Sequence, residues 1–181
     1  MKKLIKPSNN VARESALFDG CGIYDFEDSY SINLERSDVE SWEPVAAFLQ
    51  SSPKWVLKLI GIRNKVAKML GLKVGIKNID INPPFKPGQS FGALQLYSIN
   101  RNEAVIGESD KHLDFKVSLL LKGSTKPELT LSTAVRINNK LGNVYMFFVK
   151  PAHKLIVPAM LKRMALDINN RSLVQHGRSK I

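Results

Sequence analysis

Residues 113–137 read LDFKVSLLLKGSTKPELTLSTAVRI, and this stretch decides the fold. Leu113, Phe115, Val117, Leu119 and Leu121 occupy every second position. Leu129, Leu131, Thr133, Val135 and Ile137 repeat the pattern after a break at Lys122-Gly123-Ser124-Thr125-Lys126-Pro127. Side chains alternate between the two faces of a strand, so each run presents one apolar face and one polar face. A turn this short joins antiparallel neighbours.

Moving toward the N-terminus, two more strands are predicted over residues 91–100 and 103–109, with Asn100-Arg101-Asn102 as their turn. Residues 73–90 are rich in Asn, Pro and Gly and read as a loop that acts as a lid or an edge cover. A helix is expected over 53–70, where Trp55, Leu59, Ile62 and Val66 recur at helical spacing between Pro53 and Gly71. Another is expected over 39–49, opened by a capping box of Ser37 and Glu40. Pro44 either kinks that helix or moves its start to Ser41. Before it, Tyr24, Phe26, Asp28, Tyr30, Ile32 and Leu34 share one strand face, with Asp28 the interruption.

Toward the C-terminus, the apolar run from Val144 to Val149 reads as a buried strand or as the lead into a helix. From Pro151 onward, Leu155, Ile156, Ala159, Met160, Met164 and Ile168 lie on one helical stripe, kinked or delayed by Pro158. The expected fold is therefore α+β: a curved antiparallel sheet around a long C-terminal helix, with two short helices after the first strand. Residues 1–22 form an irregular arm, 23–170 the domain, and 171–181 a basic tail.

Composition narrows the class. With 181 residues, 44% hydrophobic and 24% charged, the chain fits one globular domain. Cys21 is its single cysteine, so no internal disulfide forms. The apolar pair after Lys2-Lys3 stops at Lys6, short of a signal-peptide core, and no run reaches a membrane span, so a cytoplasmic protein is expected. The net charge of +11 favours contact with something acidic: nucleic acid, an anionic lipid surface or an anionic ligand. Residues 54–73 carry six cations and no acid, and residues 150–181 hold only Asp167 against seven cations.

Three blocks of residues carry a resemblance. The first is Pro53-Lys54-Trp55-Val56 with Ile62-Arg63-Asn64 and Leu70-Gly71-Leu72. The second is Gly107-Glu108-Ser109-Asp110-Lys111-His112-Leu113-Asp114-Phe115. The third is Leu141-Gly142-Asn143-Val144-Tyr145-Met146 with Val149-Lys150-Pro151-Ala152-His153-Lys154-Leu155-Ile156. In these the chain resembles the bacterial domain-of-unknown-function family 2867. Its element order resembles the helix-grip fold of lipid-transfer START domains and the birch-pollen-allergen proteins. The resemblance implies that fold and no settled activity. Relatives have Pro-Phe-His where this chain has Pro151-Ala152-His153, so an aromatic role at that point is missing.

A sheet wrapped on a helix can leave an apolar cavity. Phe91, Gln95, Tyr97, Phe115, Val117, Leu131, Thr133, Val135, Met160 and Met164 are expected to line it. A small apolar or amphipathic ligand there is the first functional expectation. The second is an enzyme acting on a hydrophobic or polyketide-like substrate, although Gln95 and Thr133, the inward polar residues, are poor bases. The third is docking on anionic membrane or nucleic acid. A polar site is possible at Arg63, Asp110, His112, Asp114 and His153. Asp110, His112 and Asp114 share a strand face opposite Leu113 and Phe115, which suits a hydrogen bond pinning the hairpin through either carboxylate. The histidines are far apart and no phosphate-binding glycine loop occurs, so no metal or cofactor is expected.

Overall fold

The structure, a computed structural model, describes residues 5–18, 20, 22–50 and 83–178. Its elements, in chain order, are β1 (Lys6–Ser8), β2 (Phe26–Asn33), α1 (Trp42–Gln50), β3 (Ser90–Phe91), β4 (Leu94–Ile99), β5 (Glu103–Ser109), β6 (Leu113–Lys122), β7 (Glu128–Ile137) and α2 (Lys140–Arg178). The strands form one curved antiparallel sheet in the order β1-β2-β7-β6-β5-β4-β3. Val117 stands opposite Thr133 and Leu119 opposite Leu131, so the two alternating runs share an inner face. On the other side of β7, β2 sets Phe26 opposite Val135, Asp28 opposite Thr133, and Tyr30 opposite Leu131.

That inner face, α1 and one stripe of α2 enclose the main core. Ile32, Leu96, Ile106, Leu119, Leu129 and Leu131 come from the sheet, Val45 to Ala47 from α1, and Leu161, Met164, Ala165 and Ile168 from α2. The outer face is covered too. Val11 and Leu17 of the N-terminal arm pack on Val105 and Ala134. Glu103, 5% exposed on this face, accepts from Ser15 Oγ (2.7 Å), Ala16 N (3.0 Å) and Ser118 Oγ. A buried carboxylate is tolerated only when its oxygens are occupied in this way.

The structure differs from the sequence expectation in several places. Of the two readings of the run from Val144 to Val149 the structure takes the helical one, but α2 begins as early as Lys140 and carries both Pro151 and Pro158 inside it, so neither proline delays its start. Asn139 caps that start, its Oδ1 accepting from Leu141 N (3.1 Å) and Gly142 N (3.2 Å). The buried stripe of α2 runs through Val157, Met160, Leu161, Met164 and Ile168, whereas Leu155 is 67% exposed. The helix continues through Arg178, across the start of the tail expected at residue 171.

The capping box of Ser37 and Glu40 is replaced by one that starts later: Glu43 Oε1 accepts from Glu40 N (3.1 Å). The helix accordingly opens at Trp42 with Pro44 in its first turn, where a missing N–H costs nothing. One of the two expected short helices is thus present as α1. The other, over 53–70, lies outside the described residues.

Candidate functional site

A small polar cluster sits inside the apolar face of the sheet. Asp28 continues the inward alternation between Phe26 and Tyr30 and is 5% exposed. α2 brings His153 over it, and His153 Nε2 donates to Asp28 Oδ1 at 3.1 Å. The carboxylate can only accept, which assigns the proton to Nε2 and leaves Nδ1 as the imidazole's lone-pair nitrogen when neutral. Phe26 holds the ring edge-on, with centroids 5.5 Å apart. Asp28 Oδ2 and, opposite it on β7, Thr133 Oγ1 are buried with no hydrogen-bond partner among the described residues. An aspartate–histidine pair of this kind can accept a proton from a bound molecule or fix the orientation of a polar group.

Tyr30 follows Asp28 on the same face and is 8% exposed. Burial, and then the negative charge of Asp28, push its phenol above the usual tyrosine range. The sign follows directly. A phenol raised in the folded state stays neutral there while the unfolded chain ionises. Stability is therefore full below the ordinary tyrosine pKa of about 10 and declines as pH rises past it. Asp28→Asn is expected to lower the ionisation of Tyr30 part of the way, since burial remains. Near-ultraviolet absorbance titration, with Tyr30→Phe to assign the signal, checks this; an unmoved titration would show that Asp28 exerts no field on Tyr30.

Beside this cluster an open groove of about 490 Å³ runs between the end of β7 and the first half of α2. Ile137, Met146, Phe147 and Pro151 give it apolar walls, while Asn143, Lys150 and Lys154 supply the polar groups. Behind it lies a second apolar cluster of Leu113, Val135, Tyr145 and Met146 with Phe26 and Phe115 packed on it. Phe26 joins the two regions, with Lys150 Nζ 5.4 Å from its ring centroid and His153 on its edge. Apolar walls with two ammonium groups suit an amphipathic anion.

The residues expected to line a cavity divide into two sets. Phe91, Val117, Leu131 and Met164 do face inward, but they fill the main core as packed side chains, and Met160 is buried as well. Thr133 is also inward, Phe115 bridges both apolar clusters, and Val135 belongs to the one behind the groove. Gln95 and Tyr97 face outward, a correction with two causes. The β3–β4 turn sets Phe91 opposite Leu94, so Leu96 rather than Gln95 takes the inward position. A bulge between Leu96 and Ser98 then leaves Tyr97 unpaired, with Lys116 Nζ 5.3 Å from its ring centroid.

The polar candidates do not converge. Arg63 and Cys21 lie outside the described residues. His112 precedes β6 and is buried rather than sharing a wet face with its neighbours. Its Nδ1 meets the Asn139 side-chain amide (2.9 Å to Nδ2), and Asn138 N donates to its carbonyl (2.9 Å). The pinning contact thus runs to the cap of α2, not to Asp110 or Asp114. Asp114 instead accepts from Ser109 Oγ, and the Asp110 carbonyl accepts from Asn138 Nδ2 (3.0 Å). Gly142 fits against the same carbonyl of His112: a Cβ there would approach it to 2.3 Å.

Of the polar candidates named from sequence that lie among the described residues, His153 reaches the cluster and Thr133 stands opposite Asp28 in it. Asp28 and Tyr30 were missed as site residues. The signal was present, since Asp28 is the one carboxylate on an otherwise apolar strand face. Among the described residues no group of three or more His, Cys, Asp or Glu side chains is placed to hold a metal ion.

No curated protein and no solved structure matches the chain. The family described as Protein of unknown function (DUF2867) matches it over residues 21–160, and the chain belongs to that family.

Proposed function

We propose that the protein binds a small amphipathic ligand with an anionic end in the groove between β7 and α2. The observation that carries this reading is the pairing of Lys150 and Lys154 with apolar walls from Ile137, Met146, Phe147 and Pro151. The apolar part of the ligand lies along those walls, and its anionic end meets the lysines. Asp28 and His153 adjoin the groove through Phe26, whose ring meets both His153 and the groove's Lys150. The same reading treats the fold as a relative of the helix-grip proteins, supported by one long helix held against a curved antiparallel sheet. It moves the ligand site from the interior to the helix flank.

The test uses anilinonaphthalene sulfonate, a fluorescent amphipathic anion. Wild type is expected to bind it, and Lys150→Ala/Lys154→Ala to bind it about tenfold more weakly, a factor equivalent to about 1.4 kcal/mol. Equal affinity in the two proteins would place the probe elsewhere and remove the basis for the groove.

A further inference from the structure

α2 presents apolar residues to solvent as well as to the core. Leu141 is 42% exposed, Val144 49%, Phe148 64% and Leu155 67%, with Phe147 beside them at 74%. Leu141, Val144, Phe148 and Leu155 are three, four and seven residues apart, so they form a single stripe along one side of the helix. Lone exposed apolar side chains are ordinary, but a continuous stripe marks an interaction surface. Lys140, Lys154 and Lys162 lie along the same helix, Lys150 turns instead to the Phe26 ring on the sheet, and no acid occurs between residues 140 and 166. The first acid, Asp167, is already paired with Arg163 at 3.5 Å.

We infer that this stripe docks the protein on an anionic lipid surface, with α2 lying in the plane of the headgroups. Apolar residues on one side with lysines beside them are what an interfacial helix needs, because the stripe enters the acyl boundary while the ammonium groups meet lipid phosphates. A second copy of the chain is the poorer partner, since two such faces would bring their lysine rows together. Nucleic acid would engage the lysines but would leave Val144 and Leu155 against phosphate, gaining nothing from them. By length and composition alone α2 is also long and apolar enough to cross a membrane. Its other side, however, is packed on the sheet through Met164, Ala165 and Ile168, so it lies along the surface. The apolar stripe is distinct from the groove, whose lining excludes Val144, Phe148 and Leu155, while Lys154 borders both.

The experiment is sedimentation of the full chain with phosphatidylcholine vesicles and with vesicles that also contain phosphatidylglycerol. Wild type is expected to pellet with the second and not the first, and to be released progressively as salt rises. Val144→Ser/Phe148→Ser/Leu155→Ser should lose about tenfold or more in partitioning, because it removes the inserted apolar area. Circular dichroism melting and anilinonaphthalene sulfonate affinity should stay unchanged, which separates this result from failure of folding or of the groove. Three results would overturn the inference: wild type staying in solution with both vesicles, the triple variant pelleting like wild type, or light scattering showing a wild-type dimer that the triple variant lacks.

Discussion

Arg36→Met is expected to destabilise the protein by about 3–5 kcal/mol, because it leaves a buried carboxylate without its counter-charge. Arg36 Nη1 donates to Glu43 Oε2 at 2.7 Å, and side-chain exposure is 11% for the arginine and 5% for the glutamate. The same nitrogen donates to the carbonyl of Ile168 (3.0 Å), and Nε donates to Asp38 Oδ1 (3.0 Å). One guanidinium therefore ties the segment after β2, the first turn of α1 and the middle of α2 together. The hydrogen bond to Asp38, opposed by burial and aided by Glu43, raises the arginine further above its usual range, so it stays charged at any working pH. Urea unfolding of wild type and variant measures the loss. Arg36→Met/Glu43→Met should recover much of it, since the damage comes from the orphaned charge rather than from absence of the pair. A single-variant loss below about 1 kcal/mol would mean that Glu43 finds water as readily as it finds Arg36.

Leu131→Ala should cost about 2–5 kcal/mol, combining the lost transfer energy with a cavity that cannot close. Leu131 is 2% exposed and stands between Tyr30 on β2 and Leu119 on β6, in the centre of the inner face. Strands fixed on both sides by ladder hydrogen bonds cannot move inward to refill the space. Leu131→Met keeps the volume and should cost less than about 1.5 kcal/mol. If both variants unfolded at the same urea concentration, the cost would lie in side-chain shape and not in the cavity.

The sheet was legible because period-two patterning is local. Leu113 to Leu121 and Leu129 to Ile137 alternate without error, and the turn between them leaves one way to pair. The break of that pattern at Gln95 and Tyr97 was not legible. The β3–β4 turn resets the alternation by pairing Phe91 with Leu94, and the bulge after Leu96 shifts the register again; only the strand pairing reveals either. The run from Val144 to Val149 could be strand or helix on apolar content alone; Asn139 settled it by capping the first turn while seated against His112.

By itself the sequence determined the fold class, the inward face of β6 and β7, and the strong basic character of α2. Each of these depends on side chains within a few positions of one another. The tertiary structure alone decided the rest. Asp28 and His153 are 125 positions apart and meet only because β2 lies beside β7 under α2. The groove lies where the end of β7 meets the first half of α2, bringing Ile137 and Met146 to one lining although they are nine positions apart on different elements. The outward stripe from Leu141 to Leu155 follows from how α2 is rotated on the sheet: burying Val157, Met160 and Met164 turns the other apolar residues toward solvent. Rotation, register and crossing angle are set by contacts between distant segments, and local pattern carries no record of them.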